Sequence, residues 1–339
     1  LRKNFNKMNL HNKYINYIRE LIKERMVEGT KDINDLPAFE DTTKSYQDMS
    51  KLNNELINLQ RELTKKNKKL ADYSARLETK NEELENTQQR LDQELDKASQ
   101  LHKSFLPRKG PDISHLSFVA CYRPAHIVGG DFYNFVELDN KILFYLIDVS
   151  GHGLDGALLN IFLRETINNY LLEYGTDISL LDLLEHINYS YRQEDFPEDY
   201  FFCISFFLLD TESMELTCSN SGFHIVPYLI SQKGKLSKLE ISGLPISTSI
   251  PQNDYNFSTV TIKLTPLDIL FVTSDGLIEE ENGTERYGKE RLENLLERNY
   301  QLRPSEILTA LEDELADFID RADYQDDITC FIIKNEGRV

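Results

Sequence analysis

Six leucines stand at every seventh position from Leu56 to Leu91, and Met49, Ala98 and Phe105 extend the same spacing at either end. No glycine or proline interrupts residues 49–105. A seven-residue apolar period leaves a chain few choices, because it builds a long helix whose apolar stripe must meet another surface. Residues 49–106 are therefore expected to form a coiled-coil linker helix. With the leucines at d, the a positions are Asn53, Gln60, Asn67, Ser74, Asn81, Gln88 and Leu95. Polar a residues weaken the seam, and Asn at a favours a parallel, in-register pair. A homodimer through a parallel coiled coil follows, with a seam weak enough to slip in register. A single amphipathic helix lying on the next domain is the alternative.

Residues 1–48 hold a helical stretch from Tyr14 to Met26, then Gly29 and Pro37 in a polar connection. This helical segment resembles the two helices and connector of a HAMP signalling module, or the end of a sensor; an unrelated helical hairpin is the alternative. The chain begins at Leu1 instead of Met, and membrane contact is expected only through an upstream segment. No apolar run approaches the ~20 residues of a spanning helix, and no signal peptide is visible.

Pro107, Gly110 and Pro111 end the long helix, and the texture changes. Residues 107–339 form the second region, and charge separates it from the first. Residues 1–110 carry 22 basic and 18 acidic side chains, whereas residues 111–339 carry 16 basic and 39 acidic. So acidic a domain repels nucleic acid and anionic lipid. The four cysteines lie in apolar runs without CxxC spacing, as buried reduced thiols of a cytoplasmic protein do. Short strands are expected at 118–123, 132–138, 142–148, 200–209, 216–219, 225–230, 259–264, 269–273 and 328–333. Helices are expected at Gly156–Glu173, Leu180–Glu194, 289–299 and 305–321. Asp139-Asn140 reads as a hairpin turn. Strands that meander, with helices clustered in two places, give an α+β layered domain of antiparallel sheets.

Four aspartates stand at turns beside these strands: Gly129-Gly130-Asp131, Asp148-Val149-Ser150-Gly151-His152-Gly153, Ser274-Asp275-Gly276 and Asp326-Asp327-Ile328-Thr329. Carboxylates brought together from strand ends repel one another unless cations neutralise them. The donor type is oxygen throughout, which suits Mg²⁺ or Mn²⁺ and metal-assisted hydrolysis of a phosphate ester. Each motif alone is an ordinary turn; the four together, each beside a strand, point to a site.

With Phe105-Leu106-Pro107, Tyr122-Arg123-Pro124-Ala125, Val128 to Tyr133 and Thr273 to Glu279, these motifs span nearly the whole second region. In that order and spacing they resemble the PPM (protein phosphatase 2C-like) family, in its bacterial SpoIIE/RsbU-type branch of serine/threonine phosphatases. The resemblance implies a layered sandwich of two antiparallel sheets flanked by helices, with two Mn²⁺ or Mg²⁺ ions at one end. It places Asp131, Asp148, the Val149 carbonyl, Asp275 and Asp326 as metal ligands, with Asp148 and Asp275 catalytic through a metal-activated water. It implies a phosphorylated protein substrate, in this branch commonly a STAS-type anti-sigma-factor antagonist in a partner-switching pathway.

The pattern departs from the family at Asn134, where Asp is usual, at Asn220-Ser221-Gly222-Phe223 and at Leu244-Pro245-Ile246-Ser247. These positions bear on the substrate-facing rim more than on the carboxylates. Arg123 is a candidate for the substrate phosphate, with a surface salt bridge as the alternative. His152 is either a general acid or a turn histidine bonded to backbone. His126 and His224 read as structural. Ser150 and His152, two residues apart with no orienting acid, do not form a nucleophile pair. Helix Gly156–Glu173 springs from the Asp148 turn, so it and Leu180–Glu194 are candidate regulatory elements through which the linker acts. The alternative function is a catalytically silent PPM-like domain acting as a phosphoprotein-binding scaffold; a third reading makes the coiled coil the working part and the C-terminal domain its scaffold.

Overall fold

The computed structural model describes residues 13, 16, 17, 19, 20, 23, 24, 37–151, 153–319 and 324–337. The expected helical segment over residues 1–48 falls mostly outside them, and so does His152. The chain divides into two compact units, Leu1–Asn86 and Thr87–Val339.

Helix α1 runs unbroken from Pro37 to Ser104. Its leucine stripe is exposed in the single chain, from Leu91 at 52 % to Leu84 at 68 %. No helix among the described residues is long and apolar enough to cross a membrane. The division at Asn86 falls inside the helix, earlier than the expected break at Pro107. The cause is a second stripe at the helix end, where Ser99 and His102 are buried within the larger unit.

Among its described residues that unit holds eleven strands, five further α-helices and a short 3-10 turn at Gln252–Asp254. In chain order they are β1 (Leu116–Arg123), β2 (Asp131–Leu138), β3 (Lys141–Val149), α2 (Leu154–Tyr174), α3 (Leu180–Gln193) and β4 (Phe201–Asp210). Then come β5 (Glu215–Ser221), β6 (Tyr228–Ile230), β7 (Leu236–Lys238), β8 (Ile246–Ser247), β9 (Thr259–Lys263) and β10 (Ile269–Thr273). The chain closes with α4 (Gly276–Glu279), α5 (Gly288–Asn299), α6 (Pro304–Phe318) and β11 (Ile328–Asn335). One sheet has the order β1-β11-β10-β6-β7, the other β2-β3-β4-β5-β9 with β8 on β4. All the strand pairings are antiparallel.

The two sheets pack face to face and helices cover both outer faces. On β3, Ile142, Phe144 and Leu146 enter the core between the sheets with Phe207, Leu270 and Phe331. The alternate residues Leu143, Tyr145 and Ile147 pack under Leu159 and Leu163 of α2 and Leu184 of α3. On β11, Phe331 and Ile333 face inward, while Cys330 and Ile332 meet Leu295 of α5 and Ile307 of α6. Central strands buried on both faces read as continuous apolar runs, and their sequences show just that. Across the sheet interface Phe118 and Phe144 stack at 5.5 Å between centroids, and Phe207 meets Phe331 edge-on at 5.6 Å. The four cysteines are free and mostly buried.

The expected elements are present with shifted ends. The expected strand 225–230 begins only at Tyr228, and β7, β8 and α4 were not anticipated. Two- and three-residue strands carry too little pattern to read.

Candidate active site

Register places the first two carboxylates. In the β2–β3 hairpin Asp131 pairs directly with Asp148, because the turn at Asp139, with φ of 47°, sets which residues oppose. Asp131 opens β2 and is buried; its Oδ2 has no hydrogen-bond partner. The two glycines before it are demanded by space. A Cβ on Gly130 would lie 2.7 Å from the Gly151 carbonyl oxygen and 2.9 Å from that of Val149. Gly130 is further held by Asn160 of α2, whose Nδ2 donates to its carbonyl at 2.8 Å. Gly156 adds a close approach, since its Cβ would lie 3.0 Å from the Gly130 Cα.

Asp275 follows β10 and caps α4 with its carbonyl, which accepts the amides of Ile278 at 3.0 Å and Glu279 at 2.9 Å. The neighbouring Ser274 is bound to β11: its amide donates to the Thr329 carbonyl at 2.8 Å. Asp326 precedes β11, and its Oδ1 accepts the amide of Asp327 at 2.8 Å. A cavity of about 260 Å³ opens here, with Asp148, Val149, Gly151, Asp326, Asp327 and His126 in its wall. Asp131 and Asp275 are not part of that wall.

The carboxylates share one electrostatic neighbourhood. Burial first, then the charges of Asp275, Asp326 and Asp327, push Asp148 up to about 8. Asp131 is raised well above the carboxylate range by burial and by Asp148 and Asp327. Asp275 is raised by burial and Glu279, with His224 opposing; Asp326 is raised by burial, Asp275 and Asp327. Cys203, paired with Asp148 across β3–β4, is pushed up by burial and then by Asp148, Asp275 and Asp131. Four separate acids elevated together mark a buried place where carboxylates repel one another.

The residues suit a divalent cation in chemistry: the donors are carboxylate and carbonyl oxygens, and a buried oxygen of Asp131 is orphaned. As they stand, no group of three or more His, Cys, Asp or Glu side chains among the described residues is gathered to hold an ion.

Several candidates fall elsewhere. Arg123 pairs with Glu312 of α6 at 2.5 Å and is absent from the cavity wall. Strand alternation explains this: Arg123 shares the face of Cys121, which packs toward α6, while Tyr122 faces the other way. Asn134 donates to the Tyr145 hydroxyl at 3.0 Å. Asn220 ties its own loop, donating to the carbonyls of Phe223 at 2.7 Å and Ile241 at 2.8 Å. His126, read as structural, lines the cavity, and the exposed His224 lies 4.0 Å from the Glu279 carboxylate. Nothing local in sequence distinguishes these two histidines. Asp327 had no expected role, and it proves one of the most heavily bonded carboxylates near the site.

Two face-to-face antiparallel sheets, helices on both outer sides and carboxylates at the strand ends define a PPM-type phosphatase domain. A sequence profile described as Stage II sporulation protein E (SpoIIE) matches residues 139–336. The chain therefore belongs to the SpoIIE family, the SpoIIE/RsbU-type branch of PPM serine/threonine phosphatases. It is 24 % identical over 250 residues to the phosphoserine phosphatase RsbU of Bacillus subtilis, covering 73 % of this chain and 71 % of that protein. It is 26 % identical over 265 residues to Protein IcfG of Synechocystis sp., covering 71 % of this chain but only 41 % of that protein. Among solved structures, the SiaA-PP2C domain of Pseudomonas aeruginosa superposes with a TM-score of 0.64 at 21 % identity, covering 73 % of this chain and 98 % of that one.

Proposed function

We propose that this chain is a metal-dependent protein phosphatase that hydrolyses phosphoserine or phosphothreonine, regulated through its N-terminal helix. The observation that supports the reading is that Asp131, Asp148, Asp275 and Asp326, each beside a strand end, are all raised, with burial and neighbouring carboxylates pushing Asp148 up to about 8. These four carboxylates and the Val149 carbonyl would hold two Mn²⁺ or Mg²⁺ ions. Ions of that kind, when bound, supply Lewis acidity and make hydroxide available from water at neutral pH.

The chain's own residues do the rest. Asp148 stands on a central strand, and its register with Asp131 keeps the two side by side. Gly130 and Gly156 let the carbonyl-bearing turn and the Asp131 loop approach as no larger residue would allow, and Gly151 holds a φ of 105° that L side chains rarely adopt. The cavity beside Asp148 and Asp326 has the volume for a phosphoryl group on a side chain, and its acidity excludes anions until neutralised.

The substrate we infer is a small STAS-type anti-sigma-factor antagonist of a partner-switching pathway, by analogy with the RsbU-type relatives, with the chain acting in the cytoplasm. The exposed leucine stripe of α1 supports a parallel coiled-coil homodimer, since a lone helix has no reason to present such a stripe. Helices α2 and α3 remain the regulatory candidates. Asn160 of α2 grips the Gly130 carbonyl, so a rotation of α2 would move the Asp131 loop.

Turnover of a phosphopeptide or p-nitrophenyl phosphate with Mn²⁺, lost in folded Asp148→Ala and Asp275→Ala, is the expected result. The absence of a ready three-carboxylate group favours a second reading, a silent phosphoprotein-binding scaffold. Phosphopeptide binding without turnover, at saturating Mn²⁺ and with residues 1–100 removed, would decide for it.

A further inference from the structure

The tandem Asp326-Asp327 is split in role by its geometry. Asp327 is 7 % exposed. Its Oδ1 accepts the amide of Ala125 at 2.8 Å, and its Oδ2 accepts those of Gly130 at 2.5 Å and Asp131 at 3.2 Å. These bonds gather the whole β1–β2 loop onto the start of β11 and seize the backbone of Asp131 itself. Space is closed around them: a Cβ on Gly129 would lie 2.5 Å from Asp327 Oδ2 and 2.7 Å from the Tyr122 hydroxyl. The carbonyl of Asp327 reaches a second turn. It accepts Ser274 Oγ at 3.3 Å, and a Cβ on Gly276 would lie 2.2 Å from it. One residue thus contacts the turns bearing Asp131 and Asp275 and is bonded covalently to Asp326.

We infer that Asp327 is a positioning residue whose carboxylate and carbonyl set the relative placement of Asp131, Asp275 and Asp326, without serving as a ligand. The inference rests on the metal-site reading above. Three amide donors already occupy a carboxylate that offers about four lone-pair directions, leaving little for an ion. A carboxylate is needed because an amide has one acceptor oxygen and a donor nitrogen, which would face the amide of Ala125 or Gly130. Supporting residues of this kind set the affinity of the ligands they orient.

The test is calorimetric titration of Mn²⁺ into the full chain, wild type against Asp327→Asn, with melting in EDTA as the control. The variant is expected to bind Mn²⁺ about 10- to 100-fold more weakly while remaining folded in EDTA. Gly129→Ala, which pushes a methyl between Asp327 and Tyr122, provides a second lever and the same loss is expected. A purely structural role would lower the EDTA melting temperature and leave Mn²⁺ affinity alone. Equal affinity in wild type and either folded variant therefore overturns the inference. A wild type that binds no Mn²⁺ sinks this inference together with the reading beneath it.

Discussion

Helix α1 and the sandwich domain break the rule of burial in opposite senses. Along α1, leucines stand exposed at seven-residue intervals; in the sandwich, carboxylates are drawn inward until Asp148 titrates near 8. Apolar surface left outside costs free energy in proportion to its area, and charge taken inside costs desolvation. The helix presents an apolar stripe to solvent, and the site crowds acids that disfavour one another's charge.

The largest test of this contrast is Asp148→Asn. Turnover should fall by at least ~10³-fold, the effect of losing several kcal/mol of transition-state stabilisation. In EDTA the same variant should melt higher than wild type, because it removes a buried acid whose charged form is strongly disfavoured. Each unit of pKa elevation corresponds to about 1.4 kcal/mol. A variant that loses both activity and metal-free stability would break the comparison, showing Asp148 to be a packing residue.

The pH dependence follows with the same sign. A carboxylate raised from 3.8 to about 8 holds a proton in the folded state that the unfolded chain has released. Between those values the folded state binds more protons, so stability falls as pH rises. In EDTA the melting temperature should drop from about pH 5 to about pH 8; saturating Mn²⁺ should flatten that slope and add about 2.7 kcal/mol at 100 times its Kd. A metal-independent slope would place the titration elsewhere.

On the helix side, Leu70→Lys with Leu77→Lys should convert a dimer to monomer in sedimentation while leaving the sandwich domain's melting unchanged. A chain already monomeric before substitution would break the helix half of the contrast. The smallest effect belongs to Arg123→Ala. An exposed pair with Glu312 contributes about 0–1 kcal/mol, and KM should not move. A large rise in KM would restore Arg123 to the phosphate site.

Much of this was legible before any coordinates. The unbroken helix, the antiparallel strands and the four Asp-bearing turns are local patterns, and each appears close to where the residues put it. Arg123 was not legible, because alternation says only that it opposes Tyr122, and whether Glu312 or a cavity lies on that side depends on a helix almost two hundred residues away. The split of Asp326 from Asp327 was hidden for the same reason: adjacent carboxylates look alike until one meets the amides of Ala125, Gly130 and Asp131.

The sequence by itself determined the periods: seven for the helix, two for the strands, and acids where strands end. Those are short-range preferences of backbone and side chain, and they act within a few residues. Only the tertiary structure decided that Asp131 opposes Asp148, that Asp327 faces inward and that His126 reaches the cavity. Such pairings depend on strand register and on which layer covers which face. They are settled by packing between segments far apart in the chain, where no local pattern is written.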